Sequence, residues 1–252
     1  MRRIVAGSLL LALNQLTVMD GQGLMSIAVS VAGTAELIAE ADRLASLDEA
    51  PLETLRRVVA LYEEAARAEP RDVSLQVKLA SACLDLGAEG GGDGALAAFE
   101  RGERAARRAV ELDRASADGH YLIAANRGRA VRLLPVWKVS PLIVGELEKD
   151  LRRALALNPR HARALHMEAM LLAGTPAPLR VFLEGRKADV ERYLTAAIEA
   201  EPRFARARLD LAEHYLAENR AAEARAQAKA VLDMGAAPRY RAEADALLRR
   251  IR

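Results

Sequence analysis

A nine-residue phrase occurs four times in this chain, as YEEAARAEP, ARRAVELDR, LRRALALNP and LTAAIEAEP. Each copy carries an alanine five positions before its end: Ala65 before Pro70, Ala109 before Arg114, Ala154 before Pro159 and Ala197 before Pro202. A second feature follows nine residues after each end, an alanine preceded by a usually apolar residue: Leu79-Ala80, Ile123-Ala124, Glu168-Ala169 and Leu211-Ala212. Two features held in register through four copies are internal repeats, and repeats of this period are the signature of a helical solenoid. Each repeat ends at 70, 114, 159 and 202, a spacing of 44, 45 and 43 residues.

The composition supports an all-α reading. Apolar residues make up 52 % of the 252 positions, but aromatics only 4 %. Alanine supplies the difference, and it is both the best helix former and small enough to let helices cross closely. No stretch shows sustained period-two alternation. Glycine and proline fall between the helical runs, which are expected at 35–47, from Pro51 to Pro70, at 73–86, 95–112, 118–134, 142–157, 162–172, 181–200, 203–218 and 221–234. A final run opened by Pro238 reads as a capping helix, which a solenoid needs over its exposed end. The glycine-rich stretch Gly87–Gly94 reads as a flexible loop, since it lacks the Gly-Lys-Ser/Thr ending of a phosphate cradle.

Charge excludes one class of partner. With 37 basic and 35 acidic residues the net charge is +2, and the arginines alternate with glutamates along helices, so no nucleic-acid footprint is expected. Catalysis is not expected either. His120, His161, His166 and His214 form no metal-ligand spacing, no nucleophile motif is present, and no cofactor is called for. The single cysteine, Cys83, falls on the inner face of its helix and reads as a buried thiol.

The first residues, MRRIVAGSLLLALNQLTV, place two arginines before an apolar tract. That layout is a secretory signal peptide, with an uncleaved anchor or an amphipathic first helix as the alternatives. Residues 1–23 are assigned to this segment and 24–252 to the repeat domain. Gln22 stands where a lipoprotein box would need cysteine, so no lipid anchor is expected, and membrane association would require an uncleaved N-terminus. The expected location is the periplasm.

The last copy, with Leu211-Ala212, Tyr215, Asn219, Ala224, Ala228 and Val231, resembles the tetratricopeptide repeat. The elongated copies resemble one group more specifically, the T-component proteins of tripartite ATP-independent periplasmic (TRAP) transporters. The carriers are the Ala-x-x-x-x-Pro helix end, the glycine-rich stretch followed by RGERAARRAVELDRASADGHYLIAANRG, the Asn158-Pro159 helix end, the break at Gly174–Pro178 and the closing repeat. The extra residues are expected between the two helices of each pair. The resemblance covers about residues 35–250 and implies a right-handed superhelix of helix pairs. It implies a non-enzymatic accessory protein that binds a protein partner, the transporter's solute-binding protein, or helps deliver a small organic acid. The alternative is a scaffold in envelope assembly that holds peptide segments. A homo-oligomer is compatible with either.

In such folds the first helix of each pair lines a concave groove. Its candidates here are Asp118, Tyr121, Ala125, Arg129, Arg163, His166, Met170, Arg206, Leu209 and Glu213, with arginine forks suited to carboxylates. Two polar residues occupy apolar register positions. Glu168 replaces the leucine or isoleucine of the other copies, and Arg127 replaces Cys83, Leu172 and Tyr215. An internal Arg127–Glu168 ion pair is expected, or else a polar ligand pocket. Trp137, bracketed by Pro135 and Pro141, either plugs a gap between helices or anchors a partner.

Overall fold

The computed structural model describes residues 21–47, 49–134, 142–174 and 189–251, with the side chains of 21–32 outside the description. Eleven helices run through the described residues, with no strand among them. They are α1 (Gly21–Ala45), α2 (Leu52–Ala68), α3 (Val73–Glu89), α4 (Gly92–Leu112), α5 (Ala117–Leu133), α6 (Ile143–Leu157), α7 (Ala162–Gly174), α8 (Asp189–Ala200), α9 (Ala205–Ala217), α10 (Ala221–Asp233) and α11 (Pro238–Arg250). Each helix packs on its neighbours in the chain, and α3, α5 and α7 also pack on one another in sequence, as α9 does on α11. The odd-numbered helices therefore form one layer and the even-numbered ones the other, which is a helix-pair solenoid.

The repeated phrase has a physical job. Ala65, Ala109, Ala154 and Ala197 are each fully buried, so only a small side chain fits where two layers meet. Their carbonyls accept the N–H of Glu69, Asp113, Asn158 and Glu201, which ends the helix in the same way four times. The chain then turns through a second repeated bond, from the N–H of Asp72, Ser116, His161 and Phe204 to the carbonyl three residues back. The next helix starts there. Asp72 and Ser116 cap it by accepting from the N–H three residues ahead, at 3.0 and 3.1 Å, and Nδ1 of His161 does the same for Ala164 at 3.2 Å. The second shared feature, Ala80, Ala124, Ala169 and Ala212, is fully buried in every copy.

Two expectations are corrected. Gly87–Gly94 is no flexible loop: α3 continues to Glu89, and α4 begins at Gly92. Gly87 lies inside α3 because a Cβ there would meet the Phe99 ring at 2.4 Å, and Gly92 takes a φ of 54° that suits glycine. The extra residues of that first long repeat accordingly lengthen its helices to 17 and 21 residues, with only Gly90 and Gly91 between them. In the later long repeats the expected insertions fall at 135–141 and 175–188, which lie outside the described residues.

The core is segmented as nearest-neighbour packing requires. Leu55, Val58, Leu61, Tyr62, Leu75 and Cys83 centre an N-terminal cluster. Leu122, Ile123, Leu147 and Leu151 centre a middle one. Leu172, Leu194, Leu209, Leu211, Tyr215 and Leu247 centre a C-terminal one, closed by α11. Cys83 is fully buried and burial pushes its thiol up to about 12, so it is held protonated and unreactive. No helix among the described residues is long and apolar enough to cross a membrane. The expected signal segment lies outside the described residues, apart from the backbone of Gly21, Gln22 and Gly23 at the start of α1. Trp137 lies wholly outside them.

Candidate functional site

The inner layer carries a groove of about 510 Å³. Val77, Lys78 and Ser81 of α3 form one wall, Asp118, Tyr121 and Leu122 of α5 the floor, and His161 and Arg163 at the start of α7 the other wall. Ala200 and Glu201, at the end of α8, close one side. The N-terminal halves of three helices supply most of these side chains, because the repeated turn delivers successive helix starts to the same face.

Within the groove, His161 is held at both nitrogens. Its Nδ1 accepts from Ala164, so Nε2 carries the proton and donates to Asp118 at 3.0 Å. That bond outweighs burial and holds the Asp118 carboxyl below its usual range. The His161 ring also leans on Tyr121, with centroids 5.0 Å apart. Tyr121 is buried and its hydroxyl is pushed up by desolvation, against the pull of Arg163 and Arg129. Arg129 and Arg163 are both exposed, and neither has a hydrogen bond or ion pair among the described residues. Asp85, further along α3, is exposed, yet the surrounding walls desolvate it enough to raise its carboxyl, with Arg163 and Arg239 opposing.

The other expected groove residues have separate duties. His166 binds Asp210 through Nε2 at 2.6 Å, and Arg206 chelates the same carboxylate while reaching Glu243 at 2.8 Å. Burial alone would raise Asp210, but these two partners hold it low. Glu213 is clasped by Arg250 of α11. Met170 is half-buried against the C-terminal core, while Leu209 and Ala125 are buried in it and in the middle cluster. The structure thus gathers Tyr121, Arg129 and Arg163 in one region. His166 and Arg206 form a second polar knot with Asp210, which the spacing argument missed by one position.

The expected Arg127–Glu168 pair does not form. Arg127 instead forks onto Glu103 at 2.8 and 3.1 Å and reaches Glu146 at 2.9 Å. The reason is a third register position that went unread: Glu103, Glu148 and Glu191 are equivalent, each 24 residues before Arg127, Leu172 and Tyr215. Glu103 finds Arg127, and Glu191 accepts from the Tyr215 hydroxyl at 3.0 Å. Glu148 faces Leu172 in that register and lies buried near Glu168, with Arg152 3.9 Å away. Glu168 is 2 % exposed, one of its carboxyl oxygens has no hydrogen-bond partner, and burial with the neighbouring Glu148 charge pushes it up to about 7.

One grouping has metal-ligand character. Oxygens of Glu191 and Glu218 and a ring nitrogen of His214 lie within 4.8 Å of one another. Arg220 already occupies the same ground: it forks onto Glu191 at 2.7 and 3.0 Å, approaches Glu218 at 3.5 Å and stacks on Tyr215 at 4.2 Å. A divalent ion there would have to displace a guanidinium, and the charge balance favours the ion pair.

The comparisons agree with this geometry. A family model described as tetratricopeptide repeat matches residues 182–251. No curated protein is found to match the sequence. Among solved structures, TTC0263, a thermophilic TPR protein of Thermus thermophilus, superimposes with a TM-score of 0.66 at 20 % identity, over 85 % of this chain and 98 % of that one. MamA aligns at a TM-score of 0.44 and 18 % identity, over 72 % and 88 %. YrrB, described as a TPR protein with an unusual peptide-binding site, aligns at 0.42 and 17 %, over 78 % and 84 %. At these scores neither MamA nor YrrB bears on the groove. The fold is therefore an all-α helix-pair solenoid of the tetratricopeptide type, and residues 182–251 match that repeat's own model.

Proposed function

We propose that this protein is a non-enzymatic scaffold that holds an anionic segment of a partner in the groove formed by α3, α5 and α7. The observation that carries the reading is the contrast among its arginines. Arg127, Arg206 and Arg220 are spent on internal carboxylates, whereas Arg163 in the groove wall and Arg129, whose charges both act on the Tyr121 hydroxyl, have no hydrogen bond or ion pair among the described residues. A planar guanidinium in a groove floored by a buried aromatic ring suits a carboxylate attached to an apolar body. Lys78 adds to the wall, though Asp42 already binds it at 2.6 and 2.8 Å.

The order of sequence features that resembles the TRAP T-component proteins supports a more specific role. In that role the protein sits in the periplasm, contacts the solute-binding protein of a TRAP-type transporter, and meets a small organic acid or an acidic segment of its partner in the groove. The test is affinity purification of the tagged full-length protein from its native envelope, followed by mass spectrometry. Enrichment of a solute-binding protein together with a multi-spanning permease is the expected result. Enrichment of envelope-assembly proteins without a permease would overturn the transporter role and leave a scaffold that binds peptide segments.

A further inference from the structure

The N-terminal part of the solenoid and its last helix meet at Arg239. Arg239, the second residue of α11, donates its backbone N–H to Oε1 of Glu49 at 2.9 Å and its Nη1 to Oε1 of Glu89 at 3.0 Å. Glu49 lies in the turn between α1 and α2, and Glu89 is the last residue of α3. The guanidinium is steadied by its own neighbour, Tyr240, lying 4.8 Å over that ring and donating to its hydroxyl at 3.1 Å. Glu49 holds a φ of 53°, a left-handed backbone that a non-glycine residue adopts only when something requires it.

The contact is thin and polar. A cavity of about 510 Å³ opens beside it, lined by Glu49, Ala50, Glu89, Pro238, Arg239 and Ala242, and the N-terminal and C-terminal cores share no residue. The Arg239 and Glu89 side chains are each 49 % exposed. Ion pairs of that exposure contribute little and are screened by salt. A solenoid held by nearest-neighbour interfaces flexes along its length, so a contact this weak between distant ends can release without unfolding any repeat. Glu89 ends the same helix, α3, that forms one wall of the groove. Asp85, one turn before Glu89, feels both Arg239 and Arg163.

We propose that Arg239 is a releasable clasp that closes the solenoid into a ring around the groove, and that a partner segment enters when the clasp opens. A ligand that binds the open form better shifts the molecule toward it. The entry role rests on the groove reading above, but the clasp can be measured with no partner present. Spin labels at A88C and D245C, both exposed positions, report the separation of the two ends by pulsed dipolar spectroscopy on the full chain. Native Cys83 is fully buried and takes no label.

The expected result is one short, narrow distance distribution that lengthens and broadens in R239E and in high salt. Reversing the side-chain partner as well, in R239E/E89R, while leaving Glu49 on the backbone N–H, restores the short distance. A distribution identical in the parent and R239E, or one already long and broad in the parent, would overturn the clasp. The entry role is read separately from S81C in the groove wall. In R239E a bulky maleimide reacts several-fold faster while a small one is unchanged. A bulky-reagent rate that stays the same in an opened ring would overturn entry through the clasp.

Discussion

The second and third copies of the repeat, ending at 114 and 159, place a glutamate at the same position and make opposite use of it. In the second, Glu103 accepts two bonds from Arg127 across the helix pair, and both side chains keep some contact with water. In the third, the matching Glu148 is 2 % exposed, the matching partner is Leu172, and the nearest variation in register is another acid, Glu168. An arginine fork makes a partly buried carboxylate comfortable as an anion. Burial disfavours a carboxylate, and a second carboxylate beside it disfavours it further, so Glu168 is raised by desolvation first and by the Glu148 charge next. The difference teaches that a repeat position is not a role: two changes, Leu172 for Arg127 and Glu168 for Ile123, turn an ion pair into a proton-holding site.

Glu168→Leu gives the largest expected effect, since it restores the residue type of the other copies. Glu168 titrates near 4.5 when unfolded and about 7 when folded. The native state therefore keeps a proton that the unfolded chain has released, and the parent loses stability as pH rises from the lower value through the upper one. The loss amounts to something on the order of 3 kcal/mol. The leucine variant should show no such slope and should exceed the parent at pH 8. Urea unfolding at pH 5 and pH 8 checks this, and an equal slope in both proteins would break the comparison.

Next in size is Gly102→Ala in the second repeat. Asn126 is fully buried there, giving its amide hydrogens to the carbonyls of Ala80 and Leu122 at 3.2 and 3.0 Å. A Cβ on Gly102 would reach its Oδ1 at 2.2 Å. Overpacking against a buried amide should cost about 2–3 kcal/mol, seen as a lower Tm in calorimetry. Arg127→Met follows. It strips Glu103 of its fork but leaves Arg107 at 2.8 Å, so a loss of about 1–2 kcal/mol is expected in the same assay. Smallest is Arg56→Ala, which removes a pair whose side chains are 60 % and 85 % exposed. Its effect should stay within about 0.5 kcal/mol.

The solenoid was legible because its signals are local and repeated. A fully buried alanine whose carbonyl ends a helix leaves the same mark four times, and so does the alanine that follows in the next helix. The glycine-rich stretch misled because composition alone reads glycine as loop. Here Gly87 answers to the Phe99 ring across the helix pair, which no local rule sees. Tyr121, Arg129 and Arg163 could be placed on one face from helical spacing. That the two arginines lack a hydrogen bond or ion pair among the described residues could not, because it depends on what every other arginine finds in space. Lys78, Ser81 and His161 were missed as groove residues, although the position of His161 is readable: it stands two residues past a repeat end, where Asp72 and Ser116 also cap their helices. The Arg127–Glu168 error came from pairing two odd residues with each other before asking which position in the preceding helix faces each.

The central claim is that Arg129 and Arg163 serve a partner while Arg127 serves the fold. It is tested most directly by measuring thermal stability and partner capture side by side for Arg129→Ala/Arg163→Ala and for Arg127→Met. The account predicts an unchanged Tm with capture lost in the first variant, and a lowered Tm with capture retained at permissive temperature in the second. Capture that survives in the double variant, at a Tm equal to the parent's, would contradict it.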